Sequence, residues 1–337
     1  MKKSGQLPGL RYQFRDLPHT TCTVAKGAIK HLKDPDDLLE ALITGKDSFA
    51  HRARYSNRFR QIWRASQGQE DDYFKVLENL SYGMSRFHSR SKPLSRFFLK
   101  LGSAVRVLLQ MSRDQTPAHR SDQRWATELL RKLLGPEGYR RLVILAVQCD
   151  YFVVAVSLVR VQEKSDKDIS LTAADTLQVL EVCEAMFLEG RIFRKEPNGS
   201  YTWHLLQGMR RSADLWFGKG SREHGRMEWP VSRTLLEKPV FYARNLYDMT
   251  LQFFNLNFPD HSWRIKFSAF HHGENKLPEQ VRLNYIEDIA KKEGVNPAQA
   301  REQLSHVLQI CIFLLSSTSV TGFINVPFKQ RLSMTFH

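Results

Sequence analysis

From Leu142 to Val159 the chain runs almost unbroken through apolar side chains, yet Gln148, Cys149 and Asp150 stand at its middle. The run is about as long as a membrane span. A carboxylate at its centre makes such a placement expensive in lipid. A second run, Leu304 to Val326, carries His306, Gln309, Asn325 and a Ser/Thr cluster. Both are therefore expected as buried core elements, and no membrane partner is expected. With 337 residues, 42% hydrophobic and 25% charged, the chain can build one large or two ordinary domains around such a core.

Charge is the second constraint. Fifty Lys and Arg against 35 Asp and Glu give a net charge of +15. A surface of that sign attracts polyanions. Residues 51–140 hold ten more positive than negative charges and so carry much of the excess. Tyr55, Phe59 and Trp63 recur every four residues there, the spacing of one buried helical stripe. Arg52, Arg54, Arg58, Arg60 and Arg64 surround the stripe. A second basic cluster follows in Arg86, His88, Arg90, Lys92 and Arg96, with Phe87, Phe97 and Phe98 between. So few acids lie among these cations that phosphate contact is the expected role, with the aromatics as core.

Residues 1–33 lack periodicity, are rich in Lys and Arg, and read as a basic arm. Asp34-Pro35-Asp36-Asp37 has the acids and proline that favour a helix start, and Leu38, Leu39, Leu42 and Ile43 supply its apolar face. A basic helical domain is expected over 34–111. Ser112 to Gln123 is polar, contains Pro117, and reads as a linker. Helices should follow over Trp125–Leu134 and Glu137–Arg160, separated by Gly135-Pro136.

Two segments carry more specific patterns. From Ser170 to Phe187 the apolar positions Leu177, Leu180, Val182, Cys183, Met186 and Phe187 mark a helix that Glu189-Gly190 ends. Arg191 to Glu196 then alternates as a strand, Pro197-Asn198-Gly199 offers a tight hairpin turn, and Ser200 to Leu205 alternates back. In the second segment, Ile286 to Leu308, Gly294 suits a left-handed cap and Val295 an apolar plug. Asn296 and Pro297 then start another helix presenting Gln299, Arg301, Glu302 and Gln303.

The first segment resembles the recognition helix and wing of winged-helix domains, although Asp175, Glu181, Glu184 and Glu189 make its helix acidic. The second resembles the helix-turn-helix of bacterial repressors, with Ala300 and Gln303 where larger apolar residues are usual. The resemblance implies a winged-helix-like domain over 124–220, whose Arg191, Arg194 and Lys195 touch DNA. It implies a helix-turn-helix-containing domain over 230–337, read through Gln299, Arg301 and Gln303. Residues 322–326 and 330–336 would form a second wing. This layout loosely resembles plasmid or phage replication initiators.

Catalytic patterns are missing: there is no Walker loop, G-x-G-x-x-G, H-E-x-x-H or G-x-S-x-G. His271-His272-Gly273-Glu274 is the best metal-like cluster and reads as a loop with incidental histidines. Asp34, Asp36, Asp37, Glu40 and Lys46 could mimic a nuclease's acids and lysine, but helix capping explains the acids more simply. Trp203-His204 and His88 have no visible catalytic partner. The four cysteines, Cys22, Cys149, Cys183 and Cys311, form no C-x-x-C pair and suit reduced thiols of a cytoplasmic or nuclear protein.

The expectation is a mainly α protein with short β-hairpins, without cofactor, metal or enzymatic activity. Its expected partner is nucleic acid, DNA before RNA, bound as a replication initiator or regulator. The alternatives are a viral-type nucleoprotein or structural RNA-binding protein, and an interaction module for an acidic protein. Self-assembly into a homo-oligomer is compatible with each.

Overall fold

The computed structural model describes residues 17–31, 36–67, 80, 91–134, 136–163, 169–195, 199–211, 233–270 and 277–303. Among them every regular element is a helix and there is no strand. In chain order these are α1 (Leu17–His31), α2 (Asp36–Leu39, continued by a π-helical turn Glu40–Thr44), α3 (Phe49–Tyr55), α4 (Asn57–Gln67), α5 (Ser91–Leu99) and α6 (Leu101–Ser112). They continue as α7 (Arg120–Leu134), α8 (Pro136–Glu163), α9 (Ile169–Cys183), α10 (Tyr201–Arg211), α11 (Arg233–Asn257), α12 (His261–Lys266) and α13 (Glu279–Glu293). A further helical stretch covers 297–303.

Among the described residues the fold is thus all-α, which corrects the expected fold class of α with short β-hairpins and the expected strands at 191–195 and 200–205. Arg191–Phe193 is a single 3-10 turn, and the segment expected to return as a strand begins α10. The decisive partner is remote in sequence. Asp150, on α8, accepts from the backbone N–H groups of Tyr201 and Thr202 at 2.8 and 3.0 Å and from the Thr202 hydroxyl at 2.7 Å. Ser200 accepts from the N–H of Trp203 while donating to the Ile192 carbonyl. Orphan donors at a helix start are thereby satisfied twice. That favours helix over an alternating hairpin from Ser200 onward; Gly199, just before it, has a positive φ of 56°. The proposed second wing (322–326, 330–336) lies outside the described residues.

The chain divides into two compact units: residues 1–167 with 174–259, and residues 168–173 with 260–337. The first holds the region expected as a basic helical domain and, apart from residues 168–173, the one expected as a winged-helix-like domain. α8 is its spine. By length and composition α8 could cross a membrane, with mean hydropathy 2.3 over its most apolar window, but 78% of that window is buried against other helices of the protein. Gln148 donates to the Tyr242 hydroxyl and the Tyr151 hydroxyl pairs with Thr250 at 2.6 Å, so the polar groups in this run find partners on α11.

The expected basic arm contains a packed helix. α1 buries Val24, Ala25 and Ala28, and at Gly27 an added Cβ would lie 3.1 Å from the Phe253 ring. Small residues, not a pattern of large apolar ones, make this contact face, which hides its periodicity. The expected linker over 112–123 is likewise mostly helix. Pro117–His119 forms a 3-10 turn that leads directly into α7.

Candidate nucleic-acid interface

The basic region begins with a break in the helical pattern. Ser48 caps α3 by accepting from the N–H of His51 at 3.2 Å. Ser56 then leaves the helical conformation (φ −95°, ψ 114°) and its hydroxyl accepts from the N–H of Phe59, so α4 starts afresh. Phe59 and Trp63 go into the core with Phe49 and Phe97, where edge-to-face contacts at 4.9, 5.3 and 5.4 Å centre on the Phe49 ring. Tyr55, on the other side of the break, is 61% exposed. The expected stripe of three is therefore corrected to a buried pair and an outward tyrosine.

Two of the five arginines here hold the fold together. Arg52 donates to Asp47 at 2.9 Å and to Asp122 at 2.6 Å, and its guanidinium lies 4.2 Å above the Trp125 ring. Trp125 in turn donates to the Asp47 carbonyl at 2.9 Å. Arg58 takes the second oxygen of Asp122 at 3.1 Å and also pairs with Asp114. The hydroxyl and N–H of Thr116, with Arg58 and His119 beside them, hold the Asp114 carboxyl down to about 2. Asp114 and Asp122 lie 56 to 70 residues away from the arginines they bind, so local sequence gave no sign of those pairings.

The remaining cations are distributed differently. Arg54 and Arg64 are exposed, Arg60 is half-buried and bonded to Asn57, Lys92 is exposed, and Arg96 is half-buried. Arg86 and Arg90 lie outside the described residues. Four further cations, Arg113 and Arg120 in the expected linker, Arg124 just after it and Arg131 in the helix expected next, were not among the expected contacts and are all exposed. The last three fall on one face of α7, at spacings of four and seven residues. That spacing was readable once the helix was taken to begin at Arg120. Across the described residues 49–67 and 91–134 there are fourteen Lys and Arg against three acids, and two of those acids, Asp114 and Asp122, are committed to Arg52 and Arg58.

The other expected contacts are scattered. Arg191 pairs with Glu189 at 3.2 Å, and Arg194 and Lys195 are exposed beside the 3-10 turn. In the second unit α13 ends at Gly294 in the left-handed conformation (φ 71°), and Asn296 accepts from the N–H of Ala298. A helix, a turn and a second helix are thus present. Val295, expected as the apolar plug, is 45% exposed. Arg301 is bound to Glu287, while Gln299 and Gln303 are exposed.

A cavity of about 360 Å³ gathers Asp37, Glu40, Lys46 and Asp47 with Trp125 and Lys132. This includes much of the acid and lysine set that could mimic a nuclease. Asp37 pairs with Arg141 and Asp47 with Arg52. Among the described residues no three His, Cys, Asp or Glu side chains converge as a metal site requires. Asp34 and His271-His272-Gly273-Glu274 lie outside them. The described cysteines form no disulfide. Burial pushes the thiol of Cys149 well up and that of Cys183 up to about 12, which removes their nucleophilic form.

The chain matches no family model, and no curated protein or solved structure is significantly similar to it.

Proposed function

We propose that the first unit binds nucleic acid through its phosphate backbone, using the exposed arginines of α3, α4 and α7 and of the turn before α7. The observation that carries this reading is the imbalance at this surface. Among the described residues 49–67 and 91–134 only three carboxylates stand against fourteen cations, and two of them, Asp114 and Asp122, are taken up by Arg52 and Arg58, while Arg54, Arg113, Arg120, Arg124 and Arg131 are exposed to solvent. Arginines fixed on rigid helices suit anions with planar oxygen pairs, because their forks are pre-organised. Sequence-specific reading was expected of Gln299, Arg301 and Gln303 with help from a wing at 191–195; Arg301 is bound to Glu287, and residues 191–193 form a 3-10 turn, not a strand. The reading therefore narrows to backbone recognition that is largely indifferent to sequence.

The test is equilibrium binding of labelled duplex DNA, single-stranded DNA and single-stranded RNA across a salt series. The comparison variant is Arg54→Gln/Arg113→Gln/Arg120→Gln/Arg124→Gln. Each phosphate contact contributes a slope of about −0.9 in duplex and −0.7 in single strands. The variant should flatten the log K against log salt line by roughly 3 if all four arginines engage phosphates. Absence of binding to all three nucleic acids at low salt would refute the proposal.

A further inference from the structure

The geometry points to Tyr55 as a stacking platform for an unpaired base, which makes the ligand of this basic face a single strand. The inference rests on the backbone-binding reading above and names which nucleic acid that face selects. Three observations converge on it. First, among the described residues of 36–134 Tyr55 is the only large hydrophobic side chain exposed to solvent. Its two partners in sequence spacing, Phe59 and Trp63, are buried, so the helix break at Ser56 is what sends this ring outward. Second, the ring's immediate neighbours suit a nucleotide. The Arg54 guanidinium lies 5.1 Å from the ring centroid, and the His51 ring lies 4.5 Å away at a 43° tilt. Third, the segment that carries the ring has a rigid support, because Arg52 and Arg58, on either side of the break between α3 and α4, are both held by Asp122 on α7.

A duplex already stacks its bases on one another and offers an outward ring only backbone and groove. A single strand presents the π-face of each base, and any base will stack. Phosphates flanking that base would meet arginines, while the ring would take apolar surface that phosphates cannot cover. Tyr55 then supplies discrimination between strand forms, and the arginines supply most of the affinity.

The experiment uses the full chain and three probes of equal length: a mixed-sequence single-stranded DNA, its duplex, and an abasic strand carrying the same phosphates without bases. The unmodified protein should bind the single strand about tenfold or more tighter than the abasic strand, the usual worth of one aromatic stack. Tyr55→Ala should lose that advantage yet bind the duplex and the abasic strand as before, and Tyr55→Phe should retain it. An equal loss on all probes, or no change on any, would overturn the stacking role while leaving the backbone grip standing. A protein that binds none of the probes at low salt would overturn the backbone reading and this inference with it. The exposed position of Tyr55 makes both variants safe for folding, and circular dichroism checks this.

Discussion

Asp150 reaches 52 residues along the chain to hold Thr202, accepting from both its backbone N–H and its hydroxyl. The carboxylate is buried in the apolar spine α8 and closes the start of α10. Burial pushes its carboxyl up to about 6, against the downward pull of the donors from Thr202 and Tyr201. The native state therefore keeps a proton that the unfolded chain gives up near its ordinary value of 3.8. Since the folded form binds more protons in this window, the contribution of Asp150 to stability falls as pH rises from about 4 to about 6, by roughly 3 kcal/mol. Asp150→Asn should flatten this part of the stability curve. Asp150→Ala leaves three donors without their acceptor and should cost about 2–3 kcal/mol more than Asn at pH 5. Denaturant melts of the three proteins at pH 4, 5, 6 and 7 check both; a wild-type curve parallel to that of Asp150→Asn would refute the linkage.

The arginines should separate into two classes. Arg58→Gln breaks contacts to Asp122 and Asp114, both partly buried, and should destabilise by about 1–2 kcal/mol. Arg120→Gln and Arg124→Gln touch exposed side chains and should stay within about 0.5 kcal/mol. A double-mutant cycle between Arg58→Gln and Asp122→Ala should return a coupling of about 1 kcal/mol, against near zero for Arg124→Gln with Asp122→Ala. Nucleic-acid affinity should rank these substitutions in the opposite order, and thermal melts beside binding isotherms would expose any failure of that inversion.

How much of this could be read from the chain depends on how local each cause is. Gly190 and Gly294 were legible as helix stops, because a left-handed backbone is a property of one residue and both adopt it, at 74° and 71°. The helices now defined as α7 and α8 were legible from their apolar positions and from Gly135-Pro136 between them. The pairing of Arg52 and Arg58 with Asp122 was not, since no linear pattern joins residues 64 to 70 positions apart. The hairpin failed for the same reason: the alternation from Ser200 to Leu205 is real, but Asp150 overrides it from another helix. Tyr55 misled through its perfect four-residue spacing, which holds only while the helix is unbroken, and one serine in extended conformation ends it.

Gly27 places α1 against the Phe253 ring of α11. An alanine there gains helix propensity, about 1 kcal/mol over glycine, but its methyl group would press on Phe253 at 3.1 Å. The two effects oppose one another, and Gly27→Ala should lie near neutrality. Gly27→Leu has no such balance. It inserts several carbons against the aromatic ring and should destabilise by about 2 kcal/mol or more, as overpacked cores do. Equal stability of the leucine and alanine variants in urea melts would mean that α1 is not held against Phe253.

His261 gives the second unit an acid response opposite in sign to that of Asp150. The side chain is buried at the start of α12. Burial, with the Arg264 guanidinium adding to it, pushes its imidazole down to about 4 from an ordinary 6.5. The unfolded chain takes up a proton below pH 6.5 that the folded unit refuses until about pH 4. The unfolded state thus binds more protons in that window, so stability is full above pH 6.5 and drains away as pH falls toward 4. Acidification should therefore loosen α12 and α13 while α10 tightens onto Asp150. Hydrogen exchange followed by peptide across pH 4 to 7, corrected for the intrinsic rate, reads both units in one sample. Protection over 261–293 should decrease toward acid and protection over 201–211 increase. His261→Gln should abolish only the first change, and persistence of the acid loss in that variant would place its cause elsewhere in the unit.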